Sequence, residues 1–341
     1  MTGVVPQGAL SLMRPNSLLR SRPQTRFYYR KLFVLTLCIL PFAGKVCGQS
    51  LVVVSGGNTV SQGGTVSINT IPNMPNLVLS VNGGTSCDVF SYQISITYSD
   101  QATPPATTGT NVTFNAQDIE GDLSSTVDWF GNFEGGNATI TWTFDGVQQS
   151  SFNFFVNGTN PPNSTVDSYL SNGDGAWFKQ NLVAYESGAY TDAPYNQYHQ
   201  FVATPYDPVW GAPDGIGLMQ LEPPARASGD ADFWAWPVNV ADGLSWLDGK
   251  KSAAYQSWNN ELTQMQSLTG GNPVYPPPTG YTYCYFSYPQ NGNDSYSDGD
   301  WIHYYNGNYF IFFHPADSSG PNRWDIDTTG YVMKVCNAAP L

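Results

Sequence analysis

The sequence predicts a two-domain protein, with an all-β module first and a mainly α-helical domain after it. Residues 50–157 contain short runs of alternating apolar and polar residues separated by Gly, Asn and Pro, a pattern typical of β-strands. After residue 168 the apolar residues recur every three or four positions, which is the period of a helix. The length of 341 residues also suits about two domains.

Residues 1–48 have the composition of a signal peptide. The basic stretch RFYYRK (26–31) precedes the apolar run LFVLTLCILPFAG (32–44), which is too short to span a bilayer. We expect cleavage before Gln49 and export to the periplasm or to the outside of the cell. Retention of this segment as a membrane anchor is the alternative, and no other association with a membrane is expected.

The charge of the chain after the signal peptide is strongly negative. Residues 1–48 carry seven of the 13 Lys and Arg residues and none of the 26 Asp and Glu residues. The remainder therefore has six basic against 26 acidic residues, a net charge of −20. Such a surface repels nucleic acid and anionic lipid, so neither is an expected partner, whereas a neutral or weakly charged glycan is compatible with it.

The β module, residues 50–157, is predicted to form a sandwich. About seven short strands within about 110 residues are typical of the immunoglobulin-like fold. The Cys–Trp–Cys pattern of antibody domains is missing, so the similarity concerns the fold alone. The polar, Pro-containing residues 158–168 (GTNPPNSTVDS) are predicted to be a linker.

The second domain, residues 169–341, contains three helical patterns. The stretch AWFKQNLVAYES (176–187) predicts a helix that ends with Gly188 as a left-handed cap. Residues 239–268 give the clearest pattern, because their apolar residues fall mostly three, four or seven apart. The stretch GDWIHYYNG (299–307) is a further short candidate.

Four short motifs follow one another in this domain. They are YESG (185–188), GIGLMQLEP (215–223), PVNVADGLSWL (237–247) and YYNGN (304–308). In this order they resemble the motifs of the soluble lytic transglycosylases and the goose-type lysozymes, over roughly residues 175–335. The resemblance implies a lysozyme-like fold for the second domain.

The resemblance also implies cleavage of the β-1,4 bonds between MurNAc and GlcNAc in the glycan strands of peptidoglycan. Glu186 matches the single catalytic acid of the family, whose reaction is assisted by the acetamido group of the substrate. We expect 1,6-anhydromuropeptides as products, with hydrolysis by water, as in a lysozyme, as the alternative. No metal and no organic cofactor is implied.

Glu186 must stay protonated near neutral pH to act as an acid, which requires a dry environment that raises its pKa. Trp177, Tyr185 and Leu218 are candidates for the apolar wall around it. The alternative for Glu186 is a solvated carboxylate at a helix end.

The resemblance implies substrate-binding roles for five more residues. One of them, next to the acid, is expected to orient the acetamido group, and the late tyrosine is expected to form a hydrogen bond near the acid. Packing roles are the alternatives for four of them: a core methionine for Met219, a cap of a neighbouring loop for Gln220, a helix N-cap for Asn239 and a buried aromatic ring for Tyr305. The five residues are Ser187, Met219, Gln220, Asn239 and Tyr305.

The sequence departs from the family in the interval from Glu186 to Gly217, a step of 31 positions that is longer than usual. We interpret residues 190–210 as an inserted loop whose aromatic residues extend the sugar-binding cleft. Three acidic residues of this region are candidates for a second carboxylate: Asp192, Asp207 and Asp214.

The cysteines and histidines indicate no metal site. We expect a disulfide bond between Cys284 and Cys336 and a free Cys87, although three cysteines do not determine their pairing. The three histidines are scattered and are expected in loops or on the surface.

A rival reading belongs to a different functional class. The chain would then be a cell-surface protein that binds carbohydrate or mediates adhesion, with a transglycosylase-like domain that has lost its activity. Retention of Glu186 argues against this reading, because a pure binding protein has no need of a carboxylic acid at that position.

Overall fold

The structure is a computed structural model, and it describes the chain in segments. The described residues are 49–83, 88–100, 107–108, 112–115, 119–120, 124–173, 175–188, 198–202, 207–212, 214–222, 231–271, 294–306, 311–316, 318, 320–326 and 330–338. The predicted signal peptide, Asp192, Cys87 and Cys284 lie outside these residues.

Short β-strands occupy the N-terminal part, as the alternating pattern predicts. Within the described residues they are β1 (Ser50–Ser55), β2 (Asn58–Val60), β3 (Gly64–Ser67), β4 (Leu77–Asn82), β5 (Val89–Thr97), β6 (Ser99–Asp100), β7 (Thr107–Thr108), β8 (Val112–Asn115), β9 (Ile119–Glu120), β10 (Ser124–Thr126), β11 (Gly136–Phe144), β12 (Val147–Gln148) and β13 (Phe152–Asn157).

These strands form two main sheets. The first has the order β10-β4-β1-β2 and is antiparallel, whereas the second has the order β3-β13-β11-β5-β8, with β12 beside β11 and β9 beside β5. Strand β3 pairs with β13 in parallel, with Val66 opposite Val156, and β6 and β7 form a separate two-stranded ladder.

Alternation of side chains explains why these strands form a core. Along β11 every second residue is buried, including Ile140, Trp142 and Phe144. In register with them on β5, Ile94 lies opposite Ile140 and Phe90 lies opposite Phe144. Since successive side chains of a strand point to opposite faces, one face of the sheet is apolar and the other is left for solvent.

Helices dominate the C-terminal part, which confirms the predicted change of class. In the described segments they are α1 (Asn163–Leu170), α2 (Ala176–Gly188), α3 (Ala231–Trp234), α4 (Trp236–Thr269), α5 (Asp294–Tyr305) and α6 (Tyr331–Asn337). The same segments contain two small antiparallel hairpins, β14 (Trp210–Gly211) with β15 (Gly215–Ile216) and β16 (Ile311–His314) with β17 (Arg323–Ile326).

Helix α1 begins inside the stretch that we predicted to be a linker. Its residues Val166 and Leu170 are fully buried, so the second half of that stretch belongs to the folded core. The polar composition of residues 158–168 concealed this helix, because only one of those residues, Val166, is a large apolar residue. By the density of their contacts, residues Cys47–Leu341 form one compact unit.

Helix α4 matches the clearest predicted helix and extends it by three residues at its N-terminus. Pro237 lies in its first turn, a position where proline is favoured because the missing N–H is not needed. Gly270 ends the helix in the left-handed conformation, with φ of 82°. Helix α2 includes Gly188 as its last residue, where we had expected that glycine to follow the helix.

Two further findings concern a disulfide bond and membrane-spanning helices. Cys336 of α6 is disulfide-bonded, while Cys284, its predicted partner, belongs to the part of the chain that is not described. Among the described residues, every helix is either too short or too polar to cross a membrane.

Candidate active site

Glu186 lies in the last turn of α2, and its side chain is buried, with 7% of its surface exposed. Tyr331, the first residue of α6, donates a hydrogen bond from its hydroxyl group to Oε1 of this carboxyl group. The ring of Tyr331 packs edge-on against that of Tyr185, with 5.5 Å between the centroids. The alternative of a solvated carboxylate at a helix end is therefore wrong.

Burial raises the pKa of Glu186 from its ordinary value of 4.5 to about 7. The hydrogen bond from Tyr331 opposes this rise, and the negative charge of Glu222 adds to it. Desolvation dominates because a charged carboxylate loses its hydration on burial. The carboxyl group is thus protonated in a large share of molecules at neutral pH, as an acid catalyst requires.

Part of the predicted apolar wall is described. Leu218 is fully buried and Tyr185 is partly buried beside the acid. The side chain of Trp177 lies outside the described residues. Tyr331 belongs to this environment as well, although none of the four motifs contains it.

Residues 217–222 form a tight turn, which we call the 217–222 loop. Gly217 and Gln220 both adopt the left-handed conformation, with φ of 66° and 46°. The side-chain amide of Gln220 donates from Nε2 to the carbonyl oxygen of Gly217 at 2.8 Å. A side chain at position 217 would meet Asn239 Nδ2 at 2.7 Å, so the left-handed turn and the close packing both require glycine there.

Asn239 holds this loop from the first turns of α4. Its Oδ1 accepts from the backbone N–H of Met219 at 2.9 Å, and its Nδ2 donates to the carbonyl oxygens of Ile216 and Asp232 at 3.1 and 3.2 Å. The side chain is fully buried. The N-cap alternative is wrong, because Ala235 occupies the N-cap position of α4. Contact of Asn239 with substrate stays a prediction.

Gln200 is a second clamp that sequence reasoning missed. Its Oε1 accepts from the backbone N–H of Leu218 at 3.1 Å, and its Nε2 donates to the carbonyl oxygen of Phe233 at 2.9 Å. The side chain is fully buried. Nothing in the sequence distinguishes this glutamine from its neighbours in the inserted loop.

Met219 lies at the centre of the loop and is fully buried. Its side chain packs so closely on Gly243 of α4 that a Cβ there would lie 2.6 Å from Met219 Cβ. A core methionine of this kind was the alternative to a role of Met219 in the sugar-binding cleft. The hydroxyl group of Tyr305 donates to the carbonyl oxygen of Met219 rather than to Glu186.

Tyr305 nevertheless lies within electrostatic range of the acid. Burial raises its pKa well above the ordinary value of 10.0, and the negative charges of Glu186 and Glu222 raise it further. Tyr305, the 217–222 loop and Glu186 therefore lie close enough together to interact through their charges.

Two predicted binding residues place buried polar atoms in this region. Ser187 is fully buried, and its Oγ has no hydrogen-bond partner among the described residues. The same holds for Oε1 of Gln220, although the Nε2 of that side chain is bonded. Buried polar atoms are paired in the great majority of cases, so these two atoms are exceptions that the described residues do not explain.

Glu222 is the second carboxylate closest in effect to the acid. It ends the loop, and its own pKa is raised by partial burial and by the charge of Asp214. Of the three carboxylates that we predicted, Asp214 raises the pKa of Glu222 through its charge, and burial raises the pKa of Asp207. The motif GIGLMQLEP contains Glu222, so its position in the sequence was available but its role was not predicted.

The inserted loop does not use all its aromatic residues as we predicted. Tyr198 is fully buried and donates to Asp167 Oδ1 at 2.7 Å, and Phe201 stacks on Trp234 with 5.7 Å between centroids. Both rings belong to the core and not to a cleft. Trp210 is partly exposed and packs on Phe233.

The histidines differ in their surroundings. His303 is buried near the ring of Tyr331, with 6.4 Å between the centroids, which corrects the expectation of a surface or loop residue. Burial lowers the pKa of His199. Within the described segments, no three residues among His, Cys, Asp and Glu are grouped closely enough to hold a metal ion.

Comparisons with known proteins add no relative. No model of a protein family matches the sequence, and no curated protein matches it.

Proposed function

We propose that the protein cleaves the β-1,4 glycosidic bonds of peptidoglycan, with Glu186 as its acid. The observation that carries this proposal is a buried carboxyl group with a pKa of about 7, held beside the 217–222 loop and the late tyrosine. A glycosidic bond breaks when a proton reaches its bridging oxygen, and a carboxyl group that remains protonated near neutral pH can supply it.

The hydrogen bond from Tyr331 supports an assignment of the two oxygens of Glu186. Since Oε1 accepts this bond, the transferable proton resides on Oε2. Transfer of that proton to the bridging oxygen breaks the bond to C1 of MurNAc, and the substrate's acetamido oxygen stabilises the positive centre. The bond from Tyr331 then stabilises the carboxylate that remains, since a hydrogen bond to a charged acceptor is stronger than one to a neutral acceptor.

The second half of the reaction returns the proton. Glu186, now a base, accepts the proton of the C6 hydroxyl group of MurNAc, and the C6 oxygen bonds to C1 to give a 1,6-anhydro sugar. If water supplies the oxygen instead, the same carboxylate accepts a proton from water and the product is a reducing sugar. Ser187 Oγ and Gln220 Oε1 are suitable partners for the amide and hydroxyl groups of the sugar.

The proposal also includes a fold for each of the two parts of the chain. We assign a lysozyme-like fold to the helical part on the basis of the four motifs. We assign an immunoglobulin-like fold to the β module because its chain crosses from one sheet to the other, so that β3 pairs in parallel with the last strand, β13.

Export of the protein is part of the proposal. The apolar run at residues 32–44 supports a signal peptide, and the disulfide bond of Cys336 is in keeping with an oxidising compartment. The net charge of −20 outside residues 1–48 favours a glycan over nucleic acid as the polymer that is bound.

The test is digestion of purified peptidoglycan with the wild-type protein, followed by mass spectrometry of the soluble products. We expect muropeptides that are lighter by one water than the products of hydrolysis. Glu186→Gln should abolish their release. Glu261→Gln is the matched control, because Glu261 lies on α4 18 residues beyond Gly243, about 27 Å along the helix.

Each outcome has a defined meaning. Reducing ends in place of anhydro sugars identify a hydrolase with the same acid. Release of no fragment by the wild type, together with binding of peptidoglycan by both wild type and Glu186→Gln, identifies the non-catalytic carbohydrate-binding protein. Full activity of Glu186→Gln refutes the assignment of the acid.

A further inference from the structure

The β module meets the helical part through a cluster of aromatic rings. Tyr98, which follows β5, lies 5.4 Å from Phe233 and 5.7 Å from Trp234, measured between ring centroids. Phe201 of the inserted loop stacks on Trp234 with 28° between the ring planes. Gly135 of the β module packs directly on Trp234, so closely that a Cβ on Gly135 would overlap the six-membered ring of Trp234.

The same short helix that carries these rings also carries the acceptors of both amide clamps. In α3, the carbonyl oxygen of Asp232 accepts from Gln200 Nε2 and from Asn239 Nδ2, each at 3.2 Å. The carbonyl oxygen of Phe233 accepts a second bond from Gln200 Nε2. The side-chain oxygen of each amide accepts a hydrogen bond from the 217–222 loop. Gln200 Oε1 accepts from the backbone N–H of Leu218, and Asn239 Oδ1 accepts from that of Met219.

A continuous path of contacts therefore runs from the β module to the 217–222 loop, whose Glu222 acts on the acid through its charge. It passes from Tyr98 to the rings of α3, through the α3 carbonyls to the two amides, and from the amides to the loop beside Glu186. Each step is a packed ring or a buried hydrogen bond, and such contacts have few alternative arrangements in a dense interior.

We propose that the β module is a structural part of the candidate site, and that Phe233 and Trp234 are positioning residues for the 217–222 loop. The consequence for catalysis rests on the proposed function, whereas the coupling between β module and loop does not. A displacement of Trp234 shifts the α3 carbonyls, loosens both amides and lets water reach the acid. The β module is then more than a spacer or a separate binding module.

The experiment displaces Trp234 from the side of the β module and observes the loop. Gly135→Ala in the full chain forces the Trp234 ring to move. Gly146→Ala is the matched control, since Gly146 also lies in the β module and has a φ of 76°, but a Cβ there meets nothing within 4 Å. The control therefore strains the module locally without touching α3.

Amide hydrogen exchange measured by NMR gives the first readout. We expect the amides of Leu218 and Met219 to exchange at least about tenfold faster in Gly135→Ala than in wild type, and at the wild-type rate in Gly146→Ala. Adding Trp234→Phe to Gly135→Ala makes room for the new methyl group and should restore much of the protection. If Gly135→Ala does not fold, Tyr98→Leu replaces it, because that change removes a ring from the interface without creating an overlap.

The pKa of Glu186, measured by NMR of its side-chain carboxyl carbon, gives the second readout. In Gly135→Ala we expect it to fall from about 7 towards its ordinary value of 4.5, because water reaches the carboxyl group. A change of general stability alone leaves this value where it is.

Two results overturn the inference: unchanged exchange of Leu218 and Met219 in both Gly135→Ala and Tyr98→Leu, or an equal increase in Gly135→Ala and the Gly146→Ala control. Neither readout requires activity. If the variants show the coupling but the wild-type protein releases no peptidoglycan fragment, the proposed function alone is refuted. An active protein without the coupling refutes this inference alone.

Discussion

Replacing Glu186 by Gln should remove a loss of stability that the wild type shows between pH 4.5 and about 7, and the size of the effect follows from the pKa. Between pH 4.5 and about 7 the folded chain retains a proton that the unfolded chain has released. The free energy of unfolding of the wild type therefore falls as pH rises through this window. A pKa difference from 4.5 to about 7 corresponds to a loss of about 3 kcal/mol, since one pKa unit equals about 1.36 kcal/mol.

Urea unfolding at a series of pH values from 4 to about 8 measures this effect, with the disulfide bond of Cys336 kept oxidised. The quantity to compare is the free energy of unfolding of Glu186→Gln minus that of the wild type. Contributions of all other titrating groups cancel in this difference. It should rise by about 3 kcal/mol across the window, because glutamine has no proton to lose.

The absolute difference at one pH is less informative than its slope. Glutamine alters the hydrogen bond with Tyr331 at every pH, which shifts the whole curve by a constant. Glu261→Gln controls for removal of a glutamate carboxylate elsewhere in the helical part. A difference between Glu186→Gln and wild type that stays flat from pH 4.5 to about 7 refutes the reasoning that burial keeps this acid protonated.

Three further substitutions test the surroundings of the acid. Tyr331→Phe removes the bond that favours the carboxylate, worth about 1.5–3 kcal/mol, so the alkaline limb of the pH–activity profile should move up by roughly one to two pH units; an unmoved limb contradicts this. Asn239→Ala leaves buried backbone groups of the loop unpaired and should lower the free energy of unfolding by at least about 2 kcal/mol, as measured with urea. Gly243→Ala meets the methionine of the loop and should cost about 1–3 kcal/mol as well as activity, whereas Gly249→Ala on the same helix, with open space around it, should be stabilising by about 0.5–1 kcal/mol. Equal effects of the two glycine substitutions refute the close packing of α4 on the loop.

Periodicity predicted the parts of the fold that depend on local sequence. Helix α4 repeats buried residues along one face, from Val240 through Leu247 and Ala254 to Met265, and was therefore visible. The strands of the β module were predictable for the same reason, because their apolar residues recur at every second position. Helix α1 was not visible, because it buries little beyond Val166 and Leu170 and its composition is that of a loop.

The candidate site was predictable only where a motif pointed to it. Glu186 stood in a motif, and its burial agrees with the chemistry required of it. Tyr331 stood in none, and its hydrogen bond to the acid depends on how α6 packs on α2, which no local pattern records. The motif led us to expect a hydrogen bond of Tyr305 near the acid, and its hydroxyl group bonds to the carbonyl oxygen of Met219, a backbone partner that no motif specifies.

The two amide clamps illustrate the same limit. Asn239 and Gln200 perform equivalent work, each joining the loop to α3. Only Asn239 was noticed, because it lies within a motif, and it was given a role in binding rather than in support. The partners of a buried amide are set by three-dimensional packing, so a sequence reveals neither the partners nor their number.

Gly135 and Gly158 have consequences for how this chain can evolve. Each occupies a place where even a methyl group would overlap a ring, that of Trp234 for one and that of Phe201 for the other. A mutation at either glycine is tolerable only alongside a smaller residue at its aromatic counterpart, so descendants of this gene should show paired replacements at 135 with 234 and at 158 with 201. Such linked changes would mark the β module and the helices as one evolutionary unit, which domain shuffling could not separate.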